Sequence, residues 1–149
     1  NIEFIGLLKE EQQKGIRIND PNNPGRIYFS GKGLDTPFNP GFISRMRMKK
    51  MIGESQSQMK AMTGKLNSLL SSVNPSLSVT YEDVKSKYAK ELVRERHLAK
   101  AVRKITEEKY SSFEEQQKFI ELLYGGKSSK AGMANPARLE NEIRSYLLK

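Results

Sequence analysis

One stripe of apolar residues constrains this chain more than any other feature. Met48, Met51, Ile52, Met59, Met62, Leu66, Leu69, Leu70 and Val73 recur at helical spacing. The phase survives Gly53 and Gly64, so the spacing predicts one continuous helix over 42–73, ended by Asn74-Pro75. Each glycine costs about 1 kcal/mol relative to alanine, and Gly53 is the weaker point of the two. Such a helix is about 48 Å long at 1.5 Å per residue. A compact chain of 149 residues has a radius of gyration of roughly 15 Å, hence a diameter of about 38 Å. An unbroken helix therefore implies an elongated molecule, or one whose ends lean on partners.

A second helix is expected after it. Thr80-Tyr81-Glu82-Asp83 reads as an N-terminal cap with early acids, where the helix dipole favours them. Helical spacing then continues to about Lys109, with Val84, Tyr88, Leu92, Ala99 and Val102 on one stripe. Lys85, Lys87, Lys90, Arg94, Arg96, Lys100, Arg103 and Lys104 fan around the rest as a basic wall about 30 Å long. The two acids between Lys85 and Lys104, Glu91 and Glu95, fall on the apolar stripe. Buried carboxylates need partners. Arg45 or Lys49 would serve if the two helices pack antiparallel; otherwise the stripe is narrow and both acids stand at its solvated edge.

The remaining elements are shorter. Residues 2–14 read as a helix stopped by Gly15, although Gly6 weakens it. Ile16-Arg17-Ile18 and Ile27-Tyr28-Phe29 flank the turn-rich Asp20-Pro21-Asn22-Asn23-Pro24-Gly25, which favours a small hairpin. Residues 30–41, with three glycines and two prolines, read as loop or extended arm. Ser112-Phe113-Glu114-Glu115 is a capping box opening a helix with Phe113, Phe119, Ile120, Leu123 and Tyr124 inward, and Gly125-Gly126 stops it. Residues 127–134 read as a flexible linker. Asn135-Pro136 starts a last helix carrying Leu139, Ile143, Tyr146 and Leu147. The expectation is a mainly α, elongated bundle of four or five helices. Its regions are a loop-rich segment with a small hairpin (1–41), a basic helical core (42–124), a linker (125–135) and a C-terminal helix (136–149).

Charge points to a class of partner. The net charge is +9, and its distribution matters more than its sum. Residues 1–40 hold five cations and five acids, whereas 41–75 hold six cations and only Glu54. Residues 76–110 hold nine cations and six acids; 111–149 hold six and five. Concentrated positive potential attracts polyanions, nucleic acid first and an anionic membrane second. If about six of the wall's cations contact phosphates, log affinity should fall with log salt at a slope near −5. The bland alternative is a solvated helix face, and the shortage of acids weighs against it. Arg45, Arg47, Lys49 and Lys50 form a second cluster at a helix start, where the dipole disfavours cations and an external anion would relieve them. The methionine-rich stripe is ordinary core, or a surface for other protein subunits.

Chemistry finds little to work with. There is no cysteine, so disulfides and thiolate metal sites are excluded. The one histidine, His97, falls on the basic face. Gly25 to Gly33 resembles a phosphate loop but fails in spacing, and Gly33 stands where a magnesium-binding hydroxyl belongs. Ser30-Gly31-Lys32-Gly33 could still offer backbone N–H groups to a phosphate. Tyr28, Phe29 and Phe38 could stack on bases or pack as apolar surface. No residue set calls for a metal or cofactor, and no apolar run reaches the ~18 residues of a membrane span.

The stretch from Tyr81 to Tyr124, a basic helix followed by Ser-Phe-Glu-Glu-Gln-Gln-Lys-Phe, resembles helical parts of phage terminal proteins that prime DNA synthesis. It covers under a third of the chain, and no priming hydroxyl carries over. The expected function is non-enzymatic binding of a DNA or RNA backbone within a nucleoprotein assembly. Arg45, Arg47, Lys49, Lys50, Lys85, Lys90, Arg94, Arg96, Lys100, Arg103 and Lys104 would make the contacts. The alternative is a helical structural subunit, as in a phage particle. The expected location is cytoplasmic or within a virion, not secreted.

Overall fold

A computed structural model describes residues 2–20, 22–31 and 39–148. Among them the protein is mainly helical, with six helices and one two-stranded antiparallel sheet. The chain divides into two compact units, Asn1–Arg45 and Met46–Lys149.

In the first unit, strand β1 (Ile2–Leu7) precedes a short helix α1 (Lys9–Gln13) and strand β2 (Arg26–Gly31). The strands pair antiparallel, from Ile2 opposite Gly31 to Leu7 opposite Arg26. This corrects the expected 2–14 helix: its first half is a strand. Ile5 suits a pleated surface, and Gly6 disfavours a helix. The expected hairpin also has the wrong partner, because 16–18 pairs with no strand. The Asn19 side-chain amide accepts from the Tyr28 N–H (2.8 Å) and donates to its C=O (2.9 Å), so it occupies that edge of β2. Gly25 is fixed at φ +71°, and a Cβ there would lie 2.5 Å from the Leu8 carbonyl oxygen. Asp20 closes the turn, accepting from Asn22 N–H and the Asn23 amide and facing Arg26. These contacts hold its carboxyl below the usual range. Lys32, Gly33 and Phe38 lie outside the described residues.

Helix α2 (Phe42–Val73) runs unbroken for 32 residues with the expected bounds. Neither Gly53 nor Gly64 has a neighbour within 4 Å of where a Cβ would stand, so both are solvated positions that the helix passes through. In the second unit its later half is core: Leu66 and Leu70 are buried, with Met59, Met62, Leu69 and Val73 packed against them. Asn74 ends the helix, accepting from Ser76 N–H and donating to the Tyr110 hydroxyl. Asn67 clamps the Val79 backbone through both amide atoms.

Helix α3 (Tyr81–Tyr88) is capped by Thr80, whose hydroxyl accepts from Asp83 N–H at 3.0 Å. Helices α4 (Glu95–Lys109), α5 (Phe113–Leu123) and α6 (Pro136–Leu147) complete the unit. Ser112 and Glu115 cap α5 reciprocally, and Asn135 caps α6. Val84, Val93, Leu98, Val102, Ile120, Leu139 and Ile143 join α2's leucines in one core. Phe113, expected inward, is 65% exposed as the first residue of its helix. The 127–134 segment, read as a flexible linker, is anchored: the Glu142 carboxylate accepts from Ser129 Oγ and from Lys130 and Ala131 N–H. Burial opposes the Glu142 charge, but these donors outweigh it and lower its pKa.

Candidate nucleic-acid interface

The basic stretch is not one helix. It breaks after Tyr88 and resumes at Glu95, so the expected single wall becomes two helices and a turn. The break has a tertiary cause. Val93 is buried in the core, and its two backbone groups are taken by one side chain. Gln56 on α2 accepts from Val93 N–H at 2.9 Å and donates to its C=O at 3.2 Å. The Tyr81 hydroxyl donates to the same Gln56 oxygen at 2.7 Å and orients the amide. At the restart, Arg94 N–H donates to His97 Nδ1 at 3.2 Å, so an imidazole serves where a Glu or Gln would close a capping box.

Arg94 is the cap residue of α4, with Arg96 in its first turn and Lys90 in the turn before it; all three are exposed. They line an open cleft of about 450 Å³, together with Tyr88, Leu92, His97 and the carboxylate of Glu91. Arg94 and Arg96 also line a second hollow of about 320 Å³, together with Glu95, Ser55 and Met59 of α2 and Arg144 of α6. Lys85 and Lys87 are exposed on α3. Among the described residues, none of Lys85, Lys87, Lys90, Arg94 and Arg96 forms an ion pair with a carboxylate. Lys100 lies over the Tyr88 ring, 5.4 Å from its centre.

Two members of the expected set already hold carboxylates. Arg103 is 8% exposed and bonds Glu140 (2.9 Å) and Glu107. Burial alone opposes its charge, but the two carboxylates outweigh it and raise its pKa. Arg103 therefore ties α4 to α6, and a phosphate would have to displace carboxylates already in contact. Lys104, partly exposed, bonds the other Glu107 oxygen at 2.9 Å. Burial of Glu107 would raise its pKa, yet Lys104 and Arg103 lower it. Glu91 and Glu95 do not pair with α2; both are at least partly solvated, the other of the two readings their positions allowed. Glu95 faces Arg144 of α6 at 3.5 Å, and Glu91 is exposed in the turn.

His97 is half-buried and hemmed by cations. Burial, then Arg96, Arg94 and Lys100, lower its pKa, which keeps Nδ1 available as an acceptor. Arg96 Nε donates weakly to its other nitrogen at 3.4 Å.

The second cluster lies on the exposed first half of α2. Arg45, in the first unit, donates to Asn39 Oδ1 at 2.6 Å. Arg47 and Lys49 are exposed, and Lys50 stands 3.9 Å from Glu54 in a solvated pair worth little. Around them Met48, Met51 and Ile52, continuous with the core stripe, remain exposed, Met51 by 67%. Tyr28 and Phe29 on β2 are exposed, with Arg26 over the Tyr28 ring at 5.8 Å. Among the described residues no group of carboxylates and histidine is placed to hold a metal, and no helix is long and apolar enough to cross a membrane.

The chain matches no family model, no curated protein and no solved structure. Any functional reading therefore rests on the site's own geometry. Sequence reasoning found the cations of the 85–104 stretch but missed the cleft, which exists because the helix breaks. A weak signal for it was available: Glu91 and Glu95 are poor residues for the buried stripe of one continuous helix.

Proposed function

We propose that the protein binds the phosphate backbone of a nucleic acid, without catalysing a reaction on it, as part of a nucleoprotein assembly. The observation that carries this reading is the group of five exposed cations without carboxylate partners, Lys85, Lys87, Lys90, Arg94 and Arg96. In a chain of net charge +9 this group concentrates positive potential on one segment. Lys100 adds charge at its edge, and Arg47, Lys49 and Lys50 offer a second contact region. Such contacts fix position and orientation without reading bases.

A salt-titrated binding assay with single- and double-stranded DNA and RNA tests it. Five phosphate contacts give a slope of log affinity against log salt of about −4.5 on duplex DNA and about −3.5 on single strands. Reversing Lys90, Arg94 and Arg96 to Glu abolishes binding while far-UV circular dichroism is unchanged. Retained affinity rejects the reading. Arg103 is left out of this variant because its reversal would set a third carboxylate against Glu107 and Glu140.

A second reading, a structural or interaction subunit of a large complex such as a phage particle, is favoured by one observation. The apolar residues of α2's first half are uncovered, Phe42 by 77% and Met51 by 67%. Sedimentation separates the two: a monomer that gel-shifts nucleic acid favours the first, and self-association without nucleic-acid binding favours the second.

A further inference from the structure

We infer that the cleft between α3 and α4 takes one unpaired nucleotide, which makes the protein a binder of single strands in preference to duplexes. The inference rests on the proposed backbone binding and adds its substrate class. The shape and lining of the cleft carry it.

Its volume of about 450 Å³ falls within the range of small-molecule sites, roughly 300–1,000 Å³. It opens to solvent at the turn, where an unpaired base can enter. Its lining divides chemically. Lys90, Arg94 and Arg96 supply positive charge for a phosphate, and Tyr88 and Leu92 supply an apolar wall for a flat base. That pairing of cations with an aromatic face is how sequence-tolerant single-strand binders work. The Lys100 ammonium lies over one face of the Tyr88 ring, so a base would meet the part of the ring left exposed beside Leu92.

The one acid in the lining fits the same occupant. Glu91 is exposed and pairs with no cation among the described residues, so it would repel a bare phosphate. As an acceptor it suits the exocyclic amine of a base or a sugar hydroxyl. Arg94 and Arg96 stand between this cleft and the second hollow. A strand crossing there would lay a phosphate between the two guanidiniums and drop its base beside Tyr88.

The test measures affinity by fluorescence anisotropy for a short single strand and for the duplex of the same sequence, at one salt concentration. The intact protein should bind the single strand about tenfold more tightly. Tyr88→Leu removes the aromatic surface without altering charge; it should abolish that preference and leave duplex affinity and salt slope unchanged. Glu91→Ala, at an exposed turn position, removes the acceptor offered to the base or sugar and should lower the ratio of single-strand to duplex affinity several-fold, and it decides the matter if the Tyr88 variant misfolds. Adenosine monophosphate should compete with the single strand where equimolar inorganic phosphate does not. Equal affinity for single strand and duplex, or a preference that survives both substitutions, overturns the cleft assignment while backbone binding stands. Absence of binding to either nucleic acid at low salt overturns both.

Discussion

Helix α2 carries two glycines and runs 32 residues without a break; the segment from Tyr81 to Lys109 carries neither glycine nor proline and breaks in its middle. Intrinsic propensity ranks these two regions the wrong way round. The reason is what each backbone meets. Gly53 and Gly64 face open space, so each adds its small entropic cost and nothing more. At Val93 the chain is drawn into the core, and a glutamine from another helix supplies the hydrogen bonds that a helical turn would have made. A break in a helix is tolerated when its peptide groups find partners elsewhere.

The contrast can be broken from either side. The largest effect is expected from Arg103→Ala, which leaves Glu140 and Glu107 without their shared partner and unpins α4 from α6. Both acids are partly solvated, so the loss is about 3 kcal/mol, at the low end for a broken buried pair, read from urea unfolding. Gln56→Ala comes next. It strands the Val93 N–H and C=O and the Tyr81 hydroxyl and should cost about 2 kcal/mol. A negligible loss there would mean that the break does not depend on the clamp.

Gly53→Ala and Gly64→Ala sharpen the other side. Each should stabilise by up to about 1 kcal/mol, since both sites are helical and open. Destabilisation would reveal a close approach to α2 that the geometry does not contain. The smallest effect belongs to His97. Its folded-state pKa lies below the ordinary 6.5, so the unfolded chain takes up the proton first. Stability is complete above that value and is lost as pH falls from about 6.5 through the folded value. Protonation also replaces the acceptor that caps α4 with a donor facing Arg94 N–H. Half-exposure limits the loss to under about 1 kcal/mol. Between pH 7 and 5 the dependence should vanish in His97→Gln, because the perturbed carboxylates Glu107 and Glu142 titrate below their ordinary 4.5. A dependence that survives the substitution would assign it to another group.

The N-terminal unit follows the same logic. Residues 2–8 have an apolar content that fits helix or strand, and the strand forms once residues 26–31 pair with them, Gly6 opposite Ile27. β1 takes one edge of β2, and Asn19, a side chain imitating a neighbouring backbone, bonds Tyr28 on the other.

The amino-acid order alone determined whatever is resolved within a few residues. The bounds of α2, the caps at Thr80, Ser112 and Asn135, and the left-handed glycines at 15, 125 and 126 all depend on neighbours along the chain. Tertiary structure decided the rest: the break before Val93, the removal of Arg103 from the surface, and the cleft with its three cations. Those depend on partners 37 residues away, Gln56 for Val93 and Glu140 for Arg103. Charge and periodicity are properties of position along a chain; a hydrogen bond or a hollow is a property of what folding brings beside it.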